Sequence, residues 1–165
     1  MITEKVLIII SKYYKDIAEN LLKSSETFLK EKSIFFDIIE VPGALEIPQA
    51  LNFHINTKKN IGFSYKGYIA LGCVIKGETY HFEIVSNETN RGLMKIALKN
   101  SLPLGNGIIT AFNYEQALKR SLDKGNEAAL ACYELIKIKN YNYNMDKNWL
   151  IILDINPLEK KQHLE

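Results

Sequence analysis

The stretch Tyr68-Ile-Ala-Leu-Gly-Cys-Val-Ile75, running directly into Lys76-Gly-Glu-Thr-Tyr-His81, decides the fold. Its first part is apolar without a break instead of alternating, as in a strand of a parallel sheet covered on both faces. Gly77 then permits a tight turn, and Tyr80 to Lys99 carries helical spacing. Strand, turn, helix: the same grammar repeats outward in both directions. Towards the N-terminus, Val6 to Ile10 is a second unbroken apolar run, followed by Tyr14, Ile17, Ala18, Leu21, Leu22, Phe28 and Leu29 at helical intervals. Ile34 to Val41 reads as a strand closed by Pro42-Gly43, and Glu46 to Lys59 as a helix with Pro48 in its first turn, where a missing N–H costs little. Towards the C-terminus, Leu104 to Ala111 is a fourth strand, and Asn113 reads as an N-cap with Gln116 three residues later. Two helices, near 113–122 and 126–139, complete this reading.

Repeated strand–helix units impose a parallel sheet, because each crossover needs a helix and right-handed crossovers put helices on both faces. The expected fold is therefore α/β, a three-layer α/β/α sandwich with a four-stranded parallel, flavodoxin-like sheet. Residues 1–140 form one domain and 141–165 a C-terminal extension. In that extension Tyr141-Asn-Tyr-Asn144 is expected to break the helix, Trp149-Leu-Ile-Ile-Leu153 to form an extra strand or a docking strip, and Glu159 to Glu165 to fray.

Composition narrows the class further. At 165 residues, 47% hydrophobic and 24% charged, the chain suits one globular core and excludes collagen, coiled coil and disorder. Twenty-one basic against nineteen acidic residues give a net charge of +2, too balanced to predict a nucleic-acid or membrane surface. The first apolar run is too short to span a bilayer and no cleavage site follows it, so a cytoplasmic protein is expected. Cys73 and Cys132 lie in strand and helix contexts, not in a C-x-x-C, and His54, His81 and His163 are the only histidines. Neither a disulfide framework nor a zinc cluster is supported, and no metal or cofactor is expected.

In an open parallel sheet, ligands bind beyond the carboxyl ends of the strands. The chemically unusual residues fall there. After the third strand, Glu78, Thr79 and Tyr80 present backbone N–H groups at a helix's positive end, a site for phosphate or a plain connection. His81 follows, either a solvated side chain or an imidazole able to exchange protons near neutrality. Arg120 and Lys124, four residues apart, could hold a phosphate or form a solvated basic face. Glu46 is a first-turn acid or a hydroxyl acceptor, Tyr13 a ring for stacking or for core packing, and Cys73 a small core residue or, with His81, a thiol hydrolase pair.

Three blocks, Val41-Pro-Gly-Ala-Leu-Glu-Ile-Pro48, Gly72-Cys-Val-Ile-Lys-Gly-Glu-Thr-Tyr-His-Phe82 and Gly107-Ile-Ile-Thr-Ala-Phe-Asn-Tyr-Glu-Gln-Ala-Leu-Lys-Arg120, together resemble the 6,7-dimethyl-8-ribityllumazine synthases over about residues 5–138. The resemblance implies the penultimate step of riboflavin biosynthesis, a condensation of 5-amino-6-(D-ribitylamino)uracil with 3,4-dihydroxy-2-butanone 4-phosphate. It implies that His81 moves protons, that the backbone of Glu78 and Thr79 binds phosphate with Arg120, and that Ala44, Leu45 and Glu46 hold the ribityl chain. Cys73, Val74 and Ile75 would offer main-chain groups to the pyrimidine, and Tyr13 would stack on it in place of the family's usual Phe. Asn106 stands where many members carry a Phe lent by the neighbouring subunit, and the Arg120-to-Lys124 segment is shorter than usual. The implied partners are the two small-molecule substrates and further copies of the chain, as a pentamer or an icosahedral 60-mer. A shell protein that binds lumazine or flavin without turnover is the alternative.

Overall fold

The computed structural model describes residues 5–58 and 65–155, with 58 and 142–155 described by backbone alone. Eight elements follow in strict alternation: β1 (Lys5–Ser11), α1 (Lys15–Glu31), β2 (Phe35–Val41), α2 (Glu46–Lys58), β3 (Gly67–Ile75), α3 (His81–Lys99), β4 (Leu104–Ala111) and α4 (Tyr114–Ile155). The sheet has the order β2-β1-β3-β4 and every pairing is parallel. The expected three-layer α/β/α sandwich is thus the observed one.

The alternation of side chains along β1 divides the core into two halves. Val6, Ile8 and Ile10 pack with Ile17, Leu21, Leu29, Ala128 and Cys132 of α1 and α4, whereas Leu7 and Ile9 pack with Ile47, Leu51 and Leu93 of α2 and α3. All five β1 side chains are essentially sealed from solvent, and each such burial contributes about 1.5–3 kcal/mol. β2 differs. It is an edge strand with Phe35 and Ile38 exposed, and its charged Asp37 and Glu40 pair with Lys5 of β1 and with Lys12 just beyond it.

Helices α1 and α3 both end in a Schellman motif. Ser33 (φ 57°) and Ser101 (φ 50°) take the left-handed position, and the following Ile34 and Leu102 return N–H bonds of 2.9 Å to Leu29 O and Ala97 O.

The C-terminal third corrects the sequence reading. α4 is one helix where two were expected; it does not stop at Tyr141–Asn144, and Trp149–Leu153 is helical, not a strand. Neither proline nor glycine occurs from Asn126 to Ile155, so nothing forbids its continuation. Gly125, within α4, is there for proximity. A Cβ on it would stand 2.0 Å from Leu21 O and 2.3 Å from Ser24 Oγ, and Ser25 Oγ donates to Gly125 O at 2.7 Å. The Glu159–Glu165 segment lies outside the described residues.

Candidate active site

β1 is followed by strands on opposite sides, β2 on one and β3 on the other, which leaves a crevice at their carboxyl ends where the order reverses. A cavity of about 520 Å³ occupies that position. Every neighbouring connection contributes to it: Tyr13 and Tyr14 after β1, Gly43 to Glu46 after β2, Cys73 to Ile75 at the end of β3, Gly77 and Thr79 beyond it, and His81, Phe82 and Val85 on α3.

Of the residues singled out in the sequence, Tyr13, Ala44, Leu45, Glu46, Cys73, Val74, Ile75, Thr79 and His81 therefore share one wall. Tyr13 is 72% exposed, which removes the core-packing alternative and leaves a ring free to stack; its centroid lies 5.0 Å from that of Tyr14, edge to face. Glu46 opens α2, and its carboxylate folds back over Gly43, where a Cβ would sit 2.8 Å from Oε2. That bare backbone gives the acid its place. His81 is the first residue of α3 and is exposed, not sealed in the interior. Tyr80 supplies no side-chain cap, so the N–H groups of the first turn are open to solvent or an anion. Glu78 is exposed and absent from the cavity lining, although Gly77 and Thr79 on either side belong to it.

Burial pushes the Cys73 thiol up to about 12, which keeps it protonated and removes the reactive thiolate a thiol hydrolase needs. Burial likewise raises the Tyr14 phenol, with smaller contributions from Cys73 and Tyr13. Both groups enter the cavity as neutral hydrogen-bonding groups near neutral pH.

Three of the expected residues stand elsewhere in the protomer. Asn106 lines a second, apolar cavity of about 510 Å³ between α3 and α4 and donates to Asn90 Oδ1 at 2.7 Å. Arg120 and Lys124 do converge, as their spacing on a helix allows, but on an internal carboxylate: Glu127 lies 2.9 Å from Arg120 and 3.3 Å from Lys124. Burial pushes Glu127 up, and the two cations outweigh it to hold the carboxyl below its usual range. Tyr14, Gly43, Phe82 and Val85 line the first cavity without having been proposed as site residues. Val85 lies one helical turn beyond His81 on the same face, a signal the sequence carried. Among the described residues no cluster of His, Cys, Asp and Glu could hold a metal, and no helix is long and apolar enough to cross a membrane.

Comparison with known proteins agrees with this geometry. The 6,7-dimethyl-8-ribityllumazine synthase family model matches residues 3–140. A protein of Afipia carboxidovorans named 6,7-dimethyl-8-ribityllumazine synthase is 48% identical over 139 residues, covering 82% of this chain and 85% of its own length. One of the same name from Agrobacterium fabrum is 47% identical over 138 residues, covering 81% and 93%. A third, from Rhizobium meliloti and named 6,7-dimethyl-8-ribityllumazine synthase 1, is 44% identical and covers 81% and 90%. With the match spanning all four strands and every loop that lines the crevice, the chain belongs to the 6,7-dimethyl-8-ribityllumazine synthase family.

Proposed function

We propose that this chain is a 6,7-dimethyl-8-ribityllumazine synthase, joining 5-amino-6-(D-ribitylamino)uracil to 3,4-dihydroxy-2-butanone 4-phosphate with release of inorganic phosphate and two waters. The observation that carries the reading is one crevice combining an exposed ring, an acid, a run of strand-end backbone, an uncapped helix start and an imidazole. Tyr13 stacks on the pyrimidine while the backbone of Cys73, Val74 and Ile75 reads its edge. Glu46, with the Ala44 and Leu45 main chain, accepts hydrogen bonds from the ribityl hydroxyls. The butanone's phosphate lies at the start of α3, on the backbone of Glu78 and Thr79, where the helix dipole favours an anion.

The 5-amino group then attacks the ketone carbonyl, and loss of water gives an imine. Loss of the proton on C3 expels phosphate from C4, the resulting enol tautomerises to a new ketone at C3, and the ribityl-substituted nitrogen closes the ring on that carbonyl with loss of the second water. Each step moves protons between nitrogen, carbon and oxygen. His81, beside the phosphate loop, accepts and returns them. Holding both reactants in one crevice supplies much of the acceleration, because a bimolecular encounter becomes a unimolecular step.

Asn106, Arg120 and Lys124 reach a cavity from a neighbouring protomer in this reading, since none lines the protomer's own. Exposed Met94 and Leu98 of α3, with Leu135 and Ile138 of α4, surround Asn106's apolar cavity and suit burial against another copy. A homo-oligomer, pentamer or icosahedral 60-mer, is accordingly proposed, in the cytoplasm. Light scattering measures its mass.

The test is direct. Purified protein with both substrates should yield fluorescent lumazine and inorganic phosphate above the spontaneous rate, and His81→Ala should lower kcat by about 10²–10⁴. Product binding without acceleration by the wild-type protein would identify a binding protein and reject the synthase.

A further inference from the structure

We propose that Lys76 is a positioning residue that clamps the segment Gly77–His81 at both ends, through Glu83 and through the rings of Phe82 and Phe112. The proposal rests on the roles given above to that segment.

Lys76 leaves β3 with its N–H donated to Ala111 O at 2.9 Å, extending the β3–β4 ladder by one bond. Its ammonium donates to Glu83 Oε1 at 3.0 Å in the first turn of α3. The same nitrogen lies 5.9 Å from the Phe82 centroid and 5.8 Å from that of Phe112, within cation–π range of both. The two rings are themselves 6.4 Å apart. One ammonium thus ties together the end of β3, the start of α3 and the turn between β4 and α4.

An exposed ion pair of this kind contributes little to overall stability. What matters is the chain it encloses. Between residues 76 and 83 lie Gly77 and Thr79 of the cavity wall, the open start of α3, and His81. Lys76 is not among the lining residues, so any effect it has on the reaction passes through its neighbours. Glu83 Oε2 is buried with no partner among the described residues, so the carboxylate is held through its other oxygen by Lys76, with a lesser bond from Glu83's own backbone N–H. The Lys76 bond is also the chief reason the Glu83 carboxyl lies below its usual range. A loop fixed at its base before substrate arrives has less freedom to lose on binding.

A direct electrostatic role for Lys76 predicts a different result, and the sign of one substitution separates the two. Glu83→Gln removes a negative charge near the phosphate. If charge alone mattered, KM for the butanone phosphate would fall. If the clamp matters, it rises. Steady-state kinetics on the intact protein, varying each substrate in turn, should show Lys76→Met and Glu83→Gln each raising KM for the butanone phosphate about fivefold and lowering kcat, with KM for the pyrimidine little changed. The double variant should be no worse than the poorer single one, and Lys76→Arg should recover most of the loss. An unchanged or lowered KM in Glu83→Gln, or multiplying effects in the double variant, would overturn the clamp.

Hydrogen exchange read on peptides spanning 77–81 provides a measurement that needs no turnover. Both single variants should exchange faster there than wild type, and unchanged protection would also overturn the proposal. Wild-type protein that makes no lumazine, yet shows the exchange difference, would fail the synthase reading while leaving the clamp standing.

Discussion

Gly77 sits in the cavity wall with no atom within 4 Å of where a Cβ would be and no left-handed φ, so an alanine fits the fold at this position. The turn it was expected to permit does not require glycine. In the proposed reaction its remaining use is to keep the backbone bare where the phosphate would approach. Gly77→Ala should leave the denaturation midpoint unchanged while raising KM for the butanone phosphate; a stability loss with an unaltered KM would assign this glycine to the turn after all. Tyr13, Glu46 and His81 were legible because each directly follows, or nearly follows, a readable strand end, where any open parallel sheet gathers its ligand groups. Phe82 was not, since an apolar residue in a helix's first turn looks like core. Arg120 and Lys124 show the complementary limit. Their spacing brought them together, but Glu127, three residues beyond Lys124 and seven beyond Arg120, joins them on that face only because α4 runs unbroken where two helices were expected.

At the scale of elements, the strands were easier to read than the longest helix. Continuous apolar runs such as Val6–Ile10 and Tyr68–Ile75 admit few interpretations once helical segments separate them. In α4, Gly125 resembled punctuation and the Tyr-Asn repeat a breaker, although glycine inside a helix also marks a place where another backbone comes close. The neighbour is α1, at Leu21 and Ser24. Gly125→Ala should therefore push α1 and α4 apart and cost about 1–3 kcal/mol, seen as a lower denaturant midpoint at constant slope. Unchanged stability would mean that α4 is free to shift away from α1. The same close approach recurs against the sheet, where a Cβ on Gly105 would stand 1.9 Å from Ala128 O. Close approaches at Gly105 of β4 and at Gly125 of α4 itself thus seat α4 against the sheet and against α1.

For the molecule as a whole, ionisation shapes stability on both sides of neutrality. Hydrogen bonding from Tyr114 holds the Asp16 carboxyl low, as Lys76 does for Glu83, while Lys124 and Arg120 overcome burial to do so for Glu127. Groups lowered in the fold add stability above their unfolded values and lose it as pH falls through the folded ones. Cys73 and Cys132 act in the opposite sense. Burial raises both thiols from 9.0 to about 12, so their contribution is complete below about 9 and is lost as pH climbs towards 12. Denaturant titrations across pH should give a plateau that declines at both ends; a profile flat through the carboxylate range, or rising in alkali, would contradict these assignments.

The outer flank of β2 has a consequence for the solubility of the chain. Among the described residues no strand pairs with the outer side of β2, which leaves an open ladder beside exposed Phe35 and Ile38, the kind of template on which stray polypeptides stick. The Asp37–Lys5 and Glu40–Lys12 ion pairs place charge along that strand and discourage such contact. Replacing those charges with apolar side chains would turn the strand into a site of precipitation more than of simple melting.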